Sequence, residues 1–248
     1  LFGGYAHYSR LLWVQKKLDL IPSFIRSSIS FSAEKIMPIG MRGRNWLQLL
    51  KDDLDNNVPI PSIFFDPKIR LKLLKQGGIQ NVAEAIMNSR SLNHVDLLQR
   101  STRMDFENYL VEDLLVKVDR SSMLNSLEMR SPFLDKHLIE FAFAKVPSYL
   151  KANKIQKKIL LKKLTERVLP QNFDRQRKQG FSLPLGEWLK KGNFREIFND
   201  ILLDANCSFD AQTINSLFRG LDRGYNNGER LFALLLFEMW RREYNISF

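Results

Sequence analysis

Apolar positions along this chain recur mostly at the spacing of a helix. The clearest case lies between about Asp105 and Leu127, where Leu110, Val111, Leu114, Leu115 and Val118 form a stripe with a period near 3.6. The pattern predicts one helix with that stripe buried. An advance of about 100° per residue gathers Asp113, Lys117 and Arg120 on another edge of it. Upstream, Tyr5 to Leu18 reads as a helix that Pro22 stops, and Trp46, Leu47, Leu49 and Leu50 sit at helical spacing. Residues 52 to 67 hold Asn56, Asn57, Pro59, Pro61 and Pro67, which is loop chemistry, because proline removes amide donors. Downstream, Pro132 breaks the chain and Asp135 is placed to cap a helix through Ala144, which Pro147 closes. Further helices are expected over Lys154 to Val168, from near Leu185, over Ala211 to Leu221 and over Glu229 to Tyr244. Asn226-Asn227-Gly228 marks the turn between the last two. No clear run of alternating strand positions and no internal repeat emerges, so the expected fold is mainly α.

Composition narrows this only slightly. A 248-residue chain with 44% hydrophobic and 26% charged residues is ordinary for a globular protein. Its longest apolar runs fall far short of the ~20 residues that span a bilayer, and no signal-peptide layout opens it. A single cysteine, Cys207, rules out an intrachain disulfide framework and fits a reducing, cytoplasmic setting. With three histidines beside it, no dedicated metal site is expected. The net charge of +11 is the unusual value. It admits phosphorylated ligands, nucleic acid or anionic lipid. A solvated basic surface explains it equally, and no aromatic-interleaved basic motif favours nucleic acid, so neither nucleic acid nor membrane is an expected partner.

Local chemistry is concentrated in short segments, each with two readings. Gly3 and Gly4 can let backbone amides approach an anion, or simply make a turn. Asp113, Lys117 and Arg120 can grip a zwitterion or a phosphate, or form solvated helix-surface pairs. Glu128 and Arg130 flank a Pro-Phe-Leu element; they can be a partly buried pair that holds a site, or a pair that fixes a bend. Arg175, Arg177 and Lys178 precede Gly180 and can close over a polyphosphate, or lie on a basic surface turn.

Taken in order, these segments resemble the asparagine synthetase family of glutamine-dependent amidotransferases. Leu-Phe-Gly-Gly-Tyr at residues 1 to 5 is similar to the end of that family's Asp-Glu-Leu-Phe-Gly-Gly-Tyr segment. Residues 109 to 135, from Tyr-Leu-Val-Glu-Asp-Leu-Leu through Pro-Phe-Leu-Asp, resemble its longest shared block. Lys158-Ile-Leu-Leu-Lys162 resembles its lysine-bearing helix. Arg175 to Pro184 resembles its late active-site loop, and Leu235 to Trp240 its closing helix. The match is dense over 101–248 and thin over 22–100, an insertion-like region with weak patterning.

The resemblance implies a fold and a reaction. The chain would be the helical C-terminal portion of an α/β ATP-pyrophosphatase-type synthetase domain, related to the adenine nucleotide α-hydrolases, with most of the parallel sheet upstream. Family members use ATP and Mg2+ to adenylate a carboxylate, usually that of aspartate. Ammonia from a glutaminase domain N-terminal to it then yields amide and AMP. Lys178 matches the family's catalytic lysine, and Arg177 is a neighbouring pyrophosphate candidate. Gly3 and Gly4 would lie beside nucleotide or substrate. Tyr5 matches the tyrosine that related β-lactam synthetases use in a base dyad. Asp113, Lys117 and Arg120 are candidates for substrate or pyrophosphate contact, while Glu128 and Arg130 would support the groups around them. No Ser-Gly-Gly occurs in the sequence, so the family's pyrophosphate loop is absent, and the chain alone is expected to be inactive. Open alternatives are an amidotransferase acting on a sugar or secondary metabolite and a helical binding module without catalysis; a homodimer is a further possible partnership of the chain.

Overall fold

A computed structural model of the chain describes residues 1–18, 20–55, 64–74, 95–173 and 183–247. The helices run α1 (Ala6–Leu18), α2 (Ser23–Ile36), α3 (Arg44–Gln48), α4 (Pro67–Leu73), α5 (Leu97–Glu107), α6 (Val116–Met123) and α7 (Lys136–Ala144). They continue as α8 (Ser148–Lys151), α9 (Ile159–Val168), α10 (Leu185–Trp188), α11 (Asn193–Leu202), α12 (Ala211–Asp222) and α13 (Gly228–Glu243). Among the described residues the β pairing is limited to two isolated bridges, Leu74 with Phe209 and Ala152 with Lys157. The mainly helical expectation therefore holds.

Aspartate side chains cap several helices, Asp135 among them where the sequence indicates. Asp135 accepts from the Leu138 amide at 3.1 Å, Asp96 from Gln99 at 3.0 Å and Asp210 from Thr213 at 2.7 Å. Each satisfies an amide that has no partner inside its own helix. Two expectations need correction. The helix placed at Lys154 begins only at Ile159, because residues 152–157 close a small hairpin, with the Asn153 amide donating to the Gln156 carbonyl at 2.9 Å. The single helix over 105–127 is interrupted: α5 ends at Glu107, a π-helical segment spans Leu110–Leu115, and α6 follows. Its apolar stripe is not buried either. Leu110, Leu114 and Leu115 are half-buried, while Val111 and Val118 are exposed. No described element covers that face.

The chain divides into two compact units. The first comprises Leu1–Arg26, Lys51–Pro59 and Val82–Arg177. Here α1 packs on α5, with Tyr8, Leu98 and Ala152 in one buried cluster and Phe2, Ala142 and Val146 in another. The second comprises Ser27–Leu50, Ile60–Asn81 and Lys178–Phe248. Its core is larger and lies among α11, α12 and α13, where Leu202, Ile214, Leu217 and Leu231 are wholly enclosed. A buried ion pair joins Arg44 to Asp66 at 2.7 Å, and the same Asp66 caps α4. The expected turn at Asn226-Asn227-Gly228 is present. Gly40, at φ +83°, sits so close to the Asn227 carboxamide that a Cβ there would overlap it.

Candidate functional site

The first four residues of the chain run against the loop between α8 and α9. Gly3 has φ +65°, and a Cβ on it would meet the Ala152 Cβ and the Lys151 carbonyl carbon at 3.0 Å. Side chains are excluded there by both conformation and space. A Cβ on Gly4 would meet Cε of Lys158 at 3.0 Å, so the lysine stem lies directly on the glycine. Lys158 takes the left-handed conformation, φ 55°, as it opens α9. That region is uncommon for a residue with a side chain and costs roughly 1–2 kcal/mol. The helix start thus holds a strained lysine against a glycine. Phe2 anchors the segment, buried with Ala142 and Val146 and edge-on to Phe133 of the Pro-Phe-Leu element at 6.1 Å.

Beyond the glycines, Tyr5 opens α1 within an aromatic and acidic group. Its ring stacks on His7 at 5.4 Å and meets Tyr109 edge-on at 6.0 Å. Asp105 accepts hydrogen bonds from the Tyr8 hydroxyl at 2.5 Å and His7 Nε2 at 2.9 Å. Burial, and then the charges of Tyr109, Asp105 and Asp113, push the Tyr5 phenol above the ordinary tyrosine value. Burial followed by Asp113 and Asp105 does the same to Tyr109. Both phenols therefore hold their protons at neutral pH and serve as hydrogen-bond donors. Near Gly4 the segment faces a lysine, and at Tyr5 it faces carboxylates. Such a pairing suits a ligand with both a negative and a positive group.

The structure brings together part of the predicted site. Gly3, Gly4, Tyr5 and Asp113 converge on the segment just described. Lys117 and Arg120 stand exposed on α6 and form no ion pair among the described residues. Glu128 and Arg130 do pair, at 2.9 Å, but both are largely exposed instead of partly buried. Water screens such a pair to at most about 1 kcal/mol. Arg175, Arg177 and Lys178 lie outside the described residues. Asp105, His7, Tyr8 and Tyr109 were not singled out in the sequence. Tyr5 and Tyr8, three apart at the start of a helix, were the available signal, since that spacing puts two phenols on one face. Nothing local marks Asp105 as their partner about a hundred residues away.

A chain of this helical make-up, opening on a constrained glycine pair, belongs to the asparagine synthase family, whose model matches residues 1–242. Among curated relatives, asparagine synthetase [glutamine-hydrolyzing] 1 of Bacillus subtilis (strain 168) is 30% identical over 252 residues, covering 97% of this chain and 38% of that protein. The putative glutamine-hydrolyzing asparagine synthetases of Mycobacterium bovis and Mycobacterium tuberculosis are 27% identical over 250 residues, covering 97% of this chain and 37% of theirs. The chain thus spans less than two fifths of the length of these relatives. No solved structure matches it.

Proposed function

We propose that the protein carrying this chain makes an amide from a carboxylate at the expense of ATP, with aspartate as acceptor and asparagine as product. The carboxylate is first adenylated with release of pyrophosphate. Ammonia then attacks the acyl-adenylate and AMP leaves. Glutamine supplies the ammonia through a glutaminase domain, and the chain is the helical portion of a synthetase domain whose nucleotide-bearing sheet lies elsewhere in the polypeptide. The setting is cytoplasmic; no helix among the described residues is long and apolar enough to cross a membrane.

The observation that carries this reading is the family match over residues 1–242 together with the likeness to asparagine synthetases across 97% of the chain. Within it, the Lys158 ammonium would meet the phosphates or the acceptor's carboxylate beside Gly4. Asp113 would hold the acceptor's ammonium, and Tyr5 would donate a hydrogen bond to the reacting group. Lys178 would stabilise the charge that builds on the α-phosphorus, and Arg177 would meet the departing pyrophosphate. Magnesium fits the same picture. Among the described residues no group of three or more acidic or histidine side chains could hold a metal. Magnesium bound with a nucleotide needs only one or two carboxylates, and the ion would neutralise phosphate charge.

The test is pyrophosphate release by the intact protein with ATP, magnesium and aspartate, beside Lys178→Ala. The expected result is aspartate-dependent release that the variant loses by about a hundredfold or more. Release only with another carboxylate would replace aspartate as acceptor. No release with any carboxylate would leave a helical binding module as the better account.

A further inference from the structure

Three rings surround the Tyr5 phenol. Its ring stacks on His7 at 5.4 Å, lies tilted against Tyr8 at 5.9 Å and meets Tyr109 edge-on at 6.0 Å. His7 and Tyr8 also touch each other, edge to face, at 4.3 Å. Ring contacts at such separations favour particular orientations. Tyr5 itself is 41% exposed, and among the described residues its hydroxyl has no hydrogen-bond partner. The direction of its phenol is therefore set by packing on these rings.

Two of the three rings are tied to one atom. Asp105 Oδ2 accepts from the Tyr8 hydroxyl at 2.5 Å and from His7 Nε2 at 2.9 Å. Asp105 belongs to α5, 97 and 98 residues further along the chain. Tyr8 is buried, so a hydroxyl deprived of this acceptor would be stranded away from water. The His7 and Asp105 side chains are 30% and 21% exposed, so their bond is less open to water than the solvated Glu128–Arg130 pair.

Local preference does not explain the stack. Residues two apart on a regular helix do not face each other, and Tyr5 meets His7 only because it stands just outside α1. What keeps His7 beneath it is the bond to α5, which packs on α1. The third ring, Tyr109, follows Asp105 by four residues, just past the end of α5. One short stretch thus supplies both the carboxylate that pins two rings and the ring that closes the group.

We propose that Asp105 is a positioning residue: through His7 and Tyr8 it fixes the direction in which the Tyr5 phenol donates. The catalytic consequence rests on the amidation reading; the positioning does not.

Two measurements on the intact protein test it. With 3-fluorotyrosine in place of Tyr5, a single fluorine resonance reports the setting of that ring. Asp105→Asn, which keeps the side chain's shape, should move the resonance toward its position in the unfolded chain. His7→Phe with Tyr8→Phe keeps both rings, removes both bonds and should act likewise. This pair of changes also serves if Asp105→Asn impairs folding, which circular dichroism would reveal. Arg103→Ala, on the same helix, should leave the resonance unchanged. The second measurement is pyrophosphate release with ATP, magnesium and aspartate. Tyr5→Phe should lower kcat about a hundredfold. Asp105→Asn should lower it about tenfold, with KM for ATP little changed. In the Tyr5→Phe background the same Asp105→Asn change should cost less than about twofold, because a group acting through another is silent once that other is gone. A Tyr5 resonance unmoved by both sets of changes would overturn the proposal. So would a full tenfold loss retained in the Tyr5→Phe background. If no carboxylate supports release, the amidation reading fails, and the resonance alone decides the positioning.

Discussion

Lys151 is wholly enclosed, its ammonium donating to Gln99 Oε1 at 2.6 Å and lying 4.9 Å from the Phe143 ring centroid. Burial lowers its pKa to about 8 against the raising effect of Asp96. A lysine depressed in the folded state releases its proton more readily there than in the unfolded chain. Folded stability should therefore rise between about pH 8 and the ordinary lysine value of 10.5 and stay flat below about 8, where both states carry the proton. Chemical denaturation across that window should show the rise in the parent protein and its absence in Lys151→Met. Arg130→Ala tests the opposite situation. Its partner Glu128 is solvated, so stability should change by less than about 1 kcal/mol. A loss of pyrophosphate release in that variant would then report on the site and not on folding.

Helix α13 carries the most consequential internal charge. Glu238 is fully enclosed and accepts from Arg241 Nε at 2.9 Å, Arg242 Nε at 2.9 Å and the Ser208 amide at 3.3 Å. Burial opposes its charge, but the two arginines and the amide hold its pKa at about 2, below the ordinary 4.5. The stability it supplies is complete above pH 4.5 and is lost as pH falls through 2. Glu238→Gln should flatten the acid limb of an unfolding-versus-pH curve and cost about 3 kcal/mol at neutral pH. Leu231→Ala, in the same helix, should cost about 2–5 kcal/mol through the cavity it leaves. Of the three helices that build this core, α12 and α13 were legible in the sequence, because their apolar spacing and the Asn226-Asn227-Gly228 turn agree. The 105–127 region was less so. Its spacing implies a continuous helix, but a π-helical segment adds about one residue to a turn without disturbing which residue types occur. Burial of its stripe also depends on a neighbour that local pattern does not specify. At the site, Gly3 and Gly4 were visible as residue types. The lysine lying on Gly4, and its left-handed backbone, were not, since both follow from how α9 begins.

For the whole chain, exposed apolar surface is the feature that governs behaviour in solution. Met123, Leu124, Leu127 and Met129 are 56%, 87%, 60% and 63% exposed within one stretch at and beyond the end of α6. Contiguous apolar surface of this kind favours self-association. The 248-residue chain should sediment as concentration-dependent oligomers, and Leu124→Glu with Leu127→Glu should shift it toward monomer. The net charge of +11 works the other way, so raising salt should strengthen the association by screening that repulsion.

The π-helical segment at Leu110–Leu115 carries a lesson for comparing family members. Asp113 lies inside it, whereas Lys117 and Arg120 follow it on regular helix. Removing one residue from that stretch would restore an ordinary helical turn and swing everything before it by about 100° relative to everything after. Asp113 and Lys117 would then change their bearing on each other without any substitution. A single-residue gap here would therefore reorient more side chains than several point changes on either flank.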